Sequence, residues 1–268
     1  MDDKNRRRFF FNMDSDTQEQ LQAREAQRNQ AIEKMQALGA RSDAAALETL
    51  LAYLRQTKNR LLRPLAASRI GEIGNPVVLS ELLIMLREDD DIELRILAAG
   101  VLGEMGDARA AGSLAEALQE DTDREVRLWA VRSLGKLAQS ESTGTLIQAI
   151  QRDNDSQIRH EAIIALGKTG NPAGITILTQ LLQHSDNKEA RALSAEALGN
   201  IPGVQSVNVL IATVKNPEIP AVVRYEAVMA LERQGDKRAI PVLQRAVTDE
   251  HPWVRQSADD ALKHLGAS

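Results

Sequence analysis

The chain has 268 residues, a net charge of −5 at neutral pH and 43% hydrophobic residues, so it can bury a large core and is not disordered throughout. Cysteine is absent and only 4 histidines occur, which excludes disulfides, thiolate metal sites and cysteine nucleophiles. The low aromatic content of 3% favours helices over β-sandwiches or barrels, and the acidic balance argues against a nucleic-acid partner.

The chain begins with a basic and aromatic segment, residues 1–13, in which Arg6-Arg7-Arg8 precedes Phe9-Phe10-Phe11. Its apolar run is too short for a signal peptide, and no run of 18 apolar residues follows, so we expect a cytoplasmic protein with no membrane partner. Two interpretations stay open for the segment: a disordered tail, or a docking peptide, since adjacent phenylalanines are costly to leave in water.

Residues 14–41 predict a polar N-terminal capping helix with few large apolar residues. A repeat array would otherwise expose its core at this end. Residues 42–268 then predict a single repeat domain.

Within that domain the sequence repeats itself about every 32 residues. An arginine recurs, and a small residue and a large aliphatic residue follow it three and seven positions later. These spacings place all three on one face of a helix, where the small residue admits a neighbouring helix and the aliphatic one supplies buried area. The arginines are Arg63, Arg95, Arg127, Arg159, Arg191, Arg224 and Arg255.

Each repeat also contains a second helix and two kinds of turn. Glycine usually stands eleven residues after the arginine, where a left-handed backbone conformation ends a helix. An acidic turn such as Asp121-Thr122-Asp123 leads to the next arginine, and its last aspartate is suited to cap the helix that follows. The predicted helix pairs are 44–57/60–73, 77–87/92–105, 109–119/124–138, 142–152/156–169, 173–183/188–200, 204–215/220–234 and 238–248/252–265.

A lone hairpin cannot bury both of its faces, so the hairpins are expected to stack. The predicted fold is all-α: a right-handed α-solenoid of about seven helical hairpins, each an outer helix followed by an inner helix, with an N-terminal helical cap. The Trp and Tyr positions of tetratricopeptide repeats and the Thr-Pro-Leu-His signature of ankyrin repeats are absent.

The segments IRHEAIIALGKTGNPAGITILTQLL and LRILAAGVLGEMGDARAAGSLAEAL resemble HEAT-like repeats of the phycobilisome-lyase type. The resemblance covers about residues 44–266 and implies a HEAT/armadillo-like superhelix. It also implies a range of functions, which includes chromophore-lyase subunits, phycobilisome degradation factors and generic adaptors.

Deoxyhypusine hydroxylase is similar to this repeat as well, and that resemblance implies four His-Glu pairs that ligate two irons. Here the pair occurs once, as His160-Glu161. One such pair cannot supply the ligands of a di-iron centre, so we predict no metal site and no catalytic residue.

The inner helices of a solenoid line its concave surface, and at each repeat one large apolar residue is predicted to point outward there. Charged residues of both signs surround this strip, as at a hot spot for a protein partner. The alternatives are packing between tilted inner helices and ordinary exposed apolar surface. The predicted apolar residues, with Trp129 and Trp253 as the best anchors, are Leu65, Leu97, Trp129, Ile164, Leu193, Met229 and Trp253, and the basic ones are Arg132, Lys136, Lys168 and Arg233.

The recurring arginines have a structural interpretation. An aspartate lies six residues before several of them, and a guanidinium can donate several hydrogen bonds to such a carboxylate and to nearby carbonyls. We therefore expect the arginines to brace the turns within or between repeats.

The sequence predicts a non-catalytic scaffold or adaptor that binds a protein partner along its concave strip and needs no cofactor. The resemblance supplies the alternative, a subunit of a phycobilin lyase or another phycobiliprotein-handling factor. Such a subunit would hold a bilin or a chromoprotein and form a heterodimer with another solenoid subunit.

Overall fold

A computed structural model of the protein describes residues 76–267 without a gap, residues 44–56, and the helical positions 26, 29, 30, 32–34, 37, 66, 69–71 and 73. The chain divides into two compact units, Met1–Val78 and Leu79–Ser268. The basic and aromatic segment 1–13 lies outside the described residues, as do both limits of the predicted capping helix, so the predicted domain limits stay predictions.

All regular elements of the described residues are helices, as the sequence predicts for an all-α solenoid. Helix α1 spans Ala44–Gln56. Six hairpins follow, each made of an outer and an inner helix: α2–α3 (Pro76–Glu88, Ile92–Met105), α4–α5 (Ala111–Glu120, Arg124–Leu137), α6–α7 (Thr143–Arg152, Ser156–Lys168), α8–α9 (Ile175–His184, Lys188–Asn200), α10–α11 (Val204–Lys215, Ala221–Gln234) and α12–α13 (Ile240–Ala246, Pro252–His264).

Four of the outer helices begin differently from the prediction, with a separate 3₁₀ turn instead of a first α-helical turn. Before three of these turns an Asp or Asn side chain accepts a hydrogen bond from the backbone N–H two residues on, which holds the chain in the tighter conformation. The turns are Ala108–Ala110, Ser140–Ser142, Pro172–Gly174 and Lys237–Ala239.

Helix α12 is shorter than predicted and ends at Ala246. Thr248 N–H donates to the Arg245 carbonyl and Asp249 N–H to the Ala246 carbonyl, so the chain leaves the helix through three-residue turns. Pro252 then begins α13.

The core of the second unit lies between the outer and inner helices. In α5 a spacing of four residues places Val126, Ala130 and Leu134 on its buried face, each fully buried. Successive inner helices pack against each other more closely than successive outer helices do. The stack therefore curves toward the inner-helix side.

Glycine makes this close packing of inner helices possible. A Cβ atom at Gly167 of α7 would lie 2.7 Å from the Cα atom of Ala197 on α9, and one at Gly199 would lie 2.6 Å from the Cβ atom of Ala230 on α11. Gly103 is opposed by Ser133 in the same way. Each glycine stands directly after the buried aliphatic residue of its inner helix.

The arginines brace turns, and they connect one repeat with the next. The Nε and Nη2 atoms of Arg95 donate to the Asp121 carboxylate of the following repeat at 2.8 and 3.1 Å, while its Nη1 donates to the Asp89 carbonyl of its own turn at 2.9 Å. Arg127 binds the Asp153 carboxylate and the Asp121 carbonyl in the same manner. Asp121 and Asp153 thus each take part in two successive repeats.

Two repeats depart from this pattern because another residue replaces the aspartate. Ser185 stands at the position that would face Arg159, and Pro217 at the one that would face Arg191. Arg159 donates to the Asp153 carbonyl and Arg191 to the Leu182 carbonyl. In the sixth repeat the pattern returns, as the Arg224 side chain, 2% exposed, pairs with Asp249 at 2.8 Å.

Candidate functional site

The predicted strip lies on the surface formed by the exposed sides of α3, α5, α7, α9, α11 and α13, which we name the inner-helix face. None of its predicted apolar residues that the structure describes is buried in the core. Leu65 lies outside the described residues, Trp253 is 67% exposed, and the half-buried ones are Leu97, Trp129, Ile164, Leu193 and Met229. Their role in binding stays a prediction.

Trp129 packs on the preceding inner helix with one side of its ring. A side chain at Gly100 of α3 would come within 3.3 Å of this ring, so the glycine provides the space that the indole fills. The Cζ atom of Arg132 lies 5.9 Å from the ring centroid, within the range of a cation–π interaction. Packing between inner helices therefore accounts for part of this residue's surface, and the remainder is accessible.

The four predicted basic residues are accessible: Arg132 is half-buried, and Lys136, Lys168 and Arg233 are exposed. Three of them bind a polar side chain of a neighbouring inner helix. Such exposed pairs contribute little to stability, but they hold the side chains in fixed positions along the face. The pairs are Lys136–Glu104, Arg132–Glu161 at 2.8 Å and Arg233–Asn200 at 2.9 Å.

The single His-Glu pair of the sequence takes part in this polar network. His160 Nδ1 lies 3.6 Å from a carboxylate oxygen of Glu189, and His160 Nε2 lies 3.3 Å from the Asn187 amide nitrogen. Glu161 accepts from Arg132. Within the described ranges no group of three or more His, Asp or Glu residues is arranged to hold a metal ion.

On the inner-helix face, α11 and α13 form a groove, which we name the α11–α13 groove. It has a volume of about 720 Å³ and brings together Met229 and Trp253, which the sequence assigned to separate repeats. Its other lining residues are Tyr225, Glu232, Gln256, Ser257, Asp260, Lys263 and His264.

Glu226, one helical turn before Met229 on α11, interacts electrostatically with Glu196 on α9. Burial raises the pKa of Glu226, and the negative charge of Glu196 raises this pKa further, while nearby Arg233 lowers it by a smaller amount. The charged form of Glu226 is therefore disfavoured at this position.

Tyr225, Gln256, Lys263 and His264 were not selected from the sequence as site residues. The signal that could have identified them was Glu232, which replaces the glycine found at the same position of the five preceding repeats. In the last repeat Lys263 stands at this position, so the large side chains begin with α11.

The profile of the family described as HEAT repeats matches the chain at residues 79–160, 112–199, 143–224 and 219–268. No curated protein matches the chain. Among the described helices, none combines the length and the apolar character needed to cross a lipid bilayer.

Several solved structures are similar in fold. One is the complex of CpcE and CpcF of phycocyanin lyase from Nostoc sp. PCC7120, with 22% identity and a TM-score of 0.51 over 82% of this chain and 86% of that chain. Another is YibA of Escherichia coli, with 17% identity and a TM-score of 0.51 over 87% and 96%. Human deoxyhypusine hydroxylase in complex with glycerol has 20% identity and a TM-score of 0.40 over 89% and 98%.

Proposed function

The chain belongs to the HEAT-repeat family, and from this premise we propose that it is a non-catalytic scaffold that binds a protein partner along the inner-helix face. The observation that carries the proposal is the row of partly accessible apolar side chains, one on each described inner helix, bordered by charged residues. An apolar centre with a polar border is the composition of protein interfaces.

The packing of the inner helices supports this proposal. Glycine contacts and polar links between neighbouring helices fix the spacing of the face before a partner arrives. A surface that is already ordered loses little conformational entropy on association, so more of the contact energy remains as affinity. Large aromatic side chains contribute most to such affinity, which makes Trp129 and Trp253 the principal anchors.

We predict that the double variant Trp129→Ala/Trp253→Ala no longer retains the protein partner. The wild-type chain, tagged and used as bait in its native extract, should recover a partner that mass spectrometry identifies. Loss of two anchors of about 2 kcal/mol each would weaken binding more than a hundredfold. Circular dichroism should show the same helix content in both proteins.

A matched control is the double variant Ile84→Ala/Val204→Ala. These residues are 50% and 57% exposed and apolar, but they lie on outer helices. The control should retain the partner. Full retention by the tryptophan variant, or equal loss in both variants, would refute the assignment of the binding surface.

A second candidate function is that of a phycobilin-lyase or phycobiliprotein-handling subunit, in which the face holds a bilin or a chromoprotein beside another solenoid subunit. Its support is the resemblance of the repeats and the similarity in fold to the CpcE–CpcF complex. Bilin added to the purified protein should then change the visible absorbance spectrum. An unchanged spectrum and the absence of a second solenoid protein among the recovered partners would argue against this function.

A further inference from the structure

The last two described inner helices lack the glycine contact that joins the preceding ones. In α3, α5, α7 and α9 a glycine opposes a small residue of the next inner helix. The corresponding residue of α11 is Glu232, and its carboxylate binds His264 Nδ1 on α13. A side chain of this size does not allow the backbone approach that glycine allows, and Glu232 and His264 both line the α11–α13 groove.

The accessible surface of this groove is mainly apolar. Tyr225 and Met229 line it from α11, and Trp253 lines it from α13 with 67% of its surface exposed. The His251 ring lies 4.9 Å from the indole and inclined to it at 60°, so Trp253 is supported on one side. An exposed indole beside Met and Tyr is costly in water and gains free energy when a partner covers it.

Of the charged residues that line the groove, Lys263 pairs with Asp260 and His264 pairs with Glu232, so the sign of the partner is set by the charges beside it. Glu226 lies one helical turn before Met229. Glu196 and Glu226 stand at the positions that Arg132 and Glu161, 2.8 Å apart, occupy on α5 and α7. Neither carboxylate forms a salt bridge with any residue that the structure describes. A cation placed between them would relieve the repulsion that now disfavours the charged form of Glu226.

We propose that the α11–α13 groove and its adjoining carboxylates bind a peptide segment of the partner protein that presents an arginine or lysine next to an aromatic side chain. The aromatic ring packs on Trp253 and Met229, and the cation faces Glu196 and Glu226. The inference rests on the proposed function, because it specifies the chemistry of the partner at this end of the inner-helix face.

The test measures the fluorescence anisotropy of a labelled peptide, Gly-Ser-Arg-Phe-Arg-Phe-Gly-Ser, titrated with the full-length protein. The matched peptide has glutamate in place of each arginine. We expect the arginine peptide to bind at least about tenfold more tightly, because opposite charges attract at such a surface and like charges repel. Equal affinities, or no binding of the arginine peptide, would overturn the proposal.

Three variants separate the contribution of the apolar contact from that of the cation, with one control. Met229→Ala/Trp253→Ala should weaken binding of the arginine peptide about tenfold or more through loss of the apolar contact. Glu196→Gln/Glu226→Gln should remove the preference for arginine over glutamate and keep the helix content. Ile84→Ala, on the outer helix α2, should bind the peptide like the wild type. A preference that survives in the glutamine variant would contradict the assignment of the cation.

The outcomes also distinguish this inference from the proposed function. If the native partner is lost from the double tryptophan variant while the arginine peptide never binds, the scaffold function stands and the peptide chemistry is wrong. A dimer in light scattering that Trp253→Ala abolishes would assign the groove to a second copy and overturn the proposal. Peptide binding that appears only in the Phe9→Ala/Phe10→Ala/Phe11→Ala variant would assign it to the chain's own segment, with the same consequence.

Discussion

Ala138 has a backbone conformation that its residue type disfavours. Its φ and ψ angles are 49° and 34°, in the left-handed region, and it is the one non-glycine residue with positive φ among those described. In other repeats the corresponding residue is a glycine, such as Gly106 with φ 67° or Gly235 with φ 68°. The third repeat thus keeps the helix end of its neighbours with an alanine.

We predict that Ala138→Gly stabilises the protein. Relief of the left-handed conformation gains about 1–2 kcal/mol, of which the greater freedom of glycine in the unfolded chain offsets about half. Thermal denaturation followed by circular dichroism should show a higher melting temperature. The reverse exchange, Gly106→Ala, should lower it, and no space restriction interferes there because nothing lies within 4 Å of the added Cβ atom. Destabilisation by Ala138→Gly would contradict this explanation.

Among the features of single residues, the helix caps are the ones that the sequence predicted best. The side chains of Asp123 and Asp155 cap α5 and α7 by accepting backbone N–H bonds, as the acidic turns indicated. Such a cap depends only on residues two or three positions apart, so its signal is local. The 3₁₀ turns before the outer helices were missed, because the sequence does not distinguish one tight turn from the first turn of an α-helix.

Inner and outer helices contain glycines with different packing roles. Gly167 on the inner helix α7 meets the backbone of α9, whereas Gly144 on the outer helix α6 has no atom within 4 Å of the place where its Cβ would be. The first glycine fixes the distance between two helices. The second has no packing role that the structure shows.

We predict opposite effects for alanine at these positions. Gly167→Ala should destabilise the protein by about 1–3 kcal/mol, because the added methyl group clashes with Ala197 and forces the two inner helices apart. Gly144→Ala should leave stability unchanged or increase it by up to about 1 kcal/mol, because alanine favours the helix. Chemical denaturation of both variants checks this. Equal effects would mean that Gly167 does not set the helix spacing.

The difference between spacing along one helix and the distance between two helices explains how far the functional site could be predicted from the sequence. The arginine spacing gave the register of the hairpins, and the described residues of the predicted strip do lie outside the core, as for Leu97 and Leu193. The α11–α13 groove could not be predicted, because its width depends on how far apart two packed helices lie. Glu232 was visible as an exception in the sequence, but its effect on a neighbouring helix requires coordinates.

Along the described repeats, Arg95, Arg127 and Arg224 connect one repeat with the next. Arg127 binds both its own turn and the carboxylate of Asp153 in the next repeat, whose side chain is 8% exposed. Removal of the guanidinium leaves this nearly buried carboxylate without its cation. Arg159 lacks the corresponding aspartate and donates to a carbonyl of its own turn.

We therefore predict that Arg127→Ala costs about 2 kcal/mol of stability and Arg159→Ala about 1 kcal/mol, since only the first leaves a charged group unsatisfied. Melting temperatures of the two variants measure the difference. Partner binding on the inner-helix face should persist in both. A melting temperature of Arg127→Ala that equals that of the wild type would refute the bracing role.

The replacement of aspartate by Ser185 and Pro217 also has a mechanical consequence. A bidentate ion pair fixes the angle between the groups it joins, whereas apolar packing has no directional preference. Where Arg159 and Arg191 find no carboxylate ahead of them, successive repeats are joined by packing and by single polar contacts such as Arg233–Asn200 instead of this bidentate ion pair. We therefore expect elastic bending imposed by a bound partner to concentrate between α7 and α11, where this ion pair is absent.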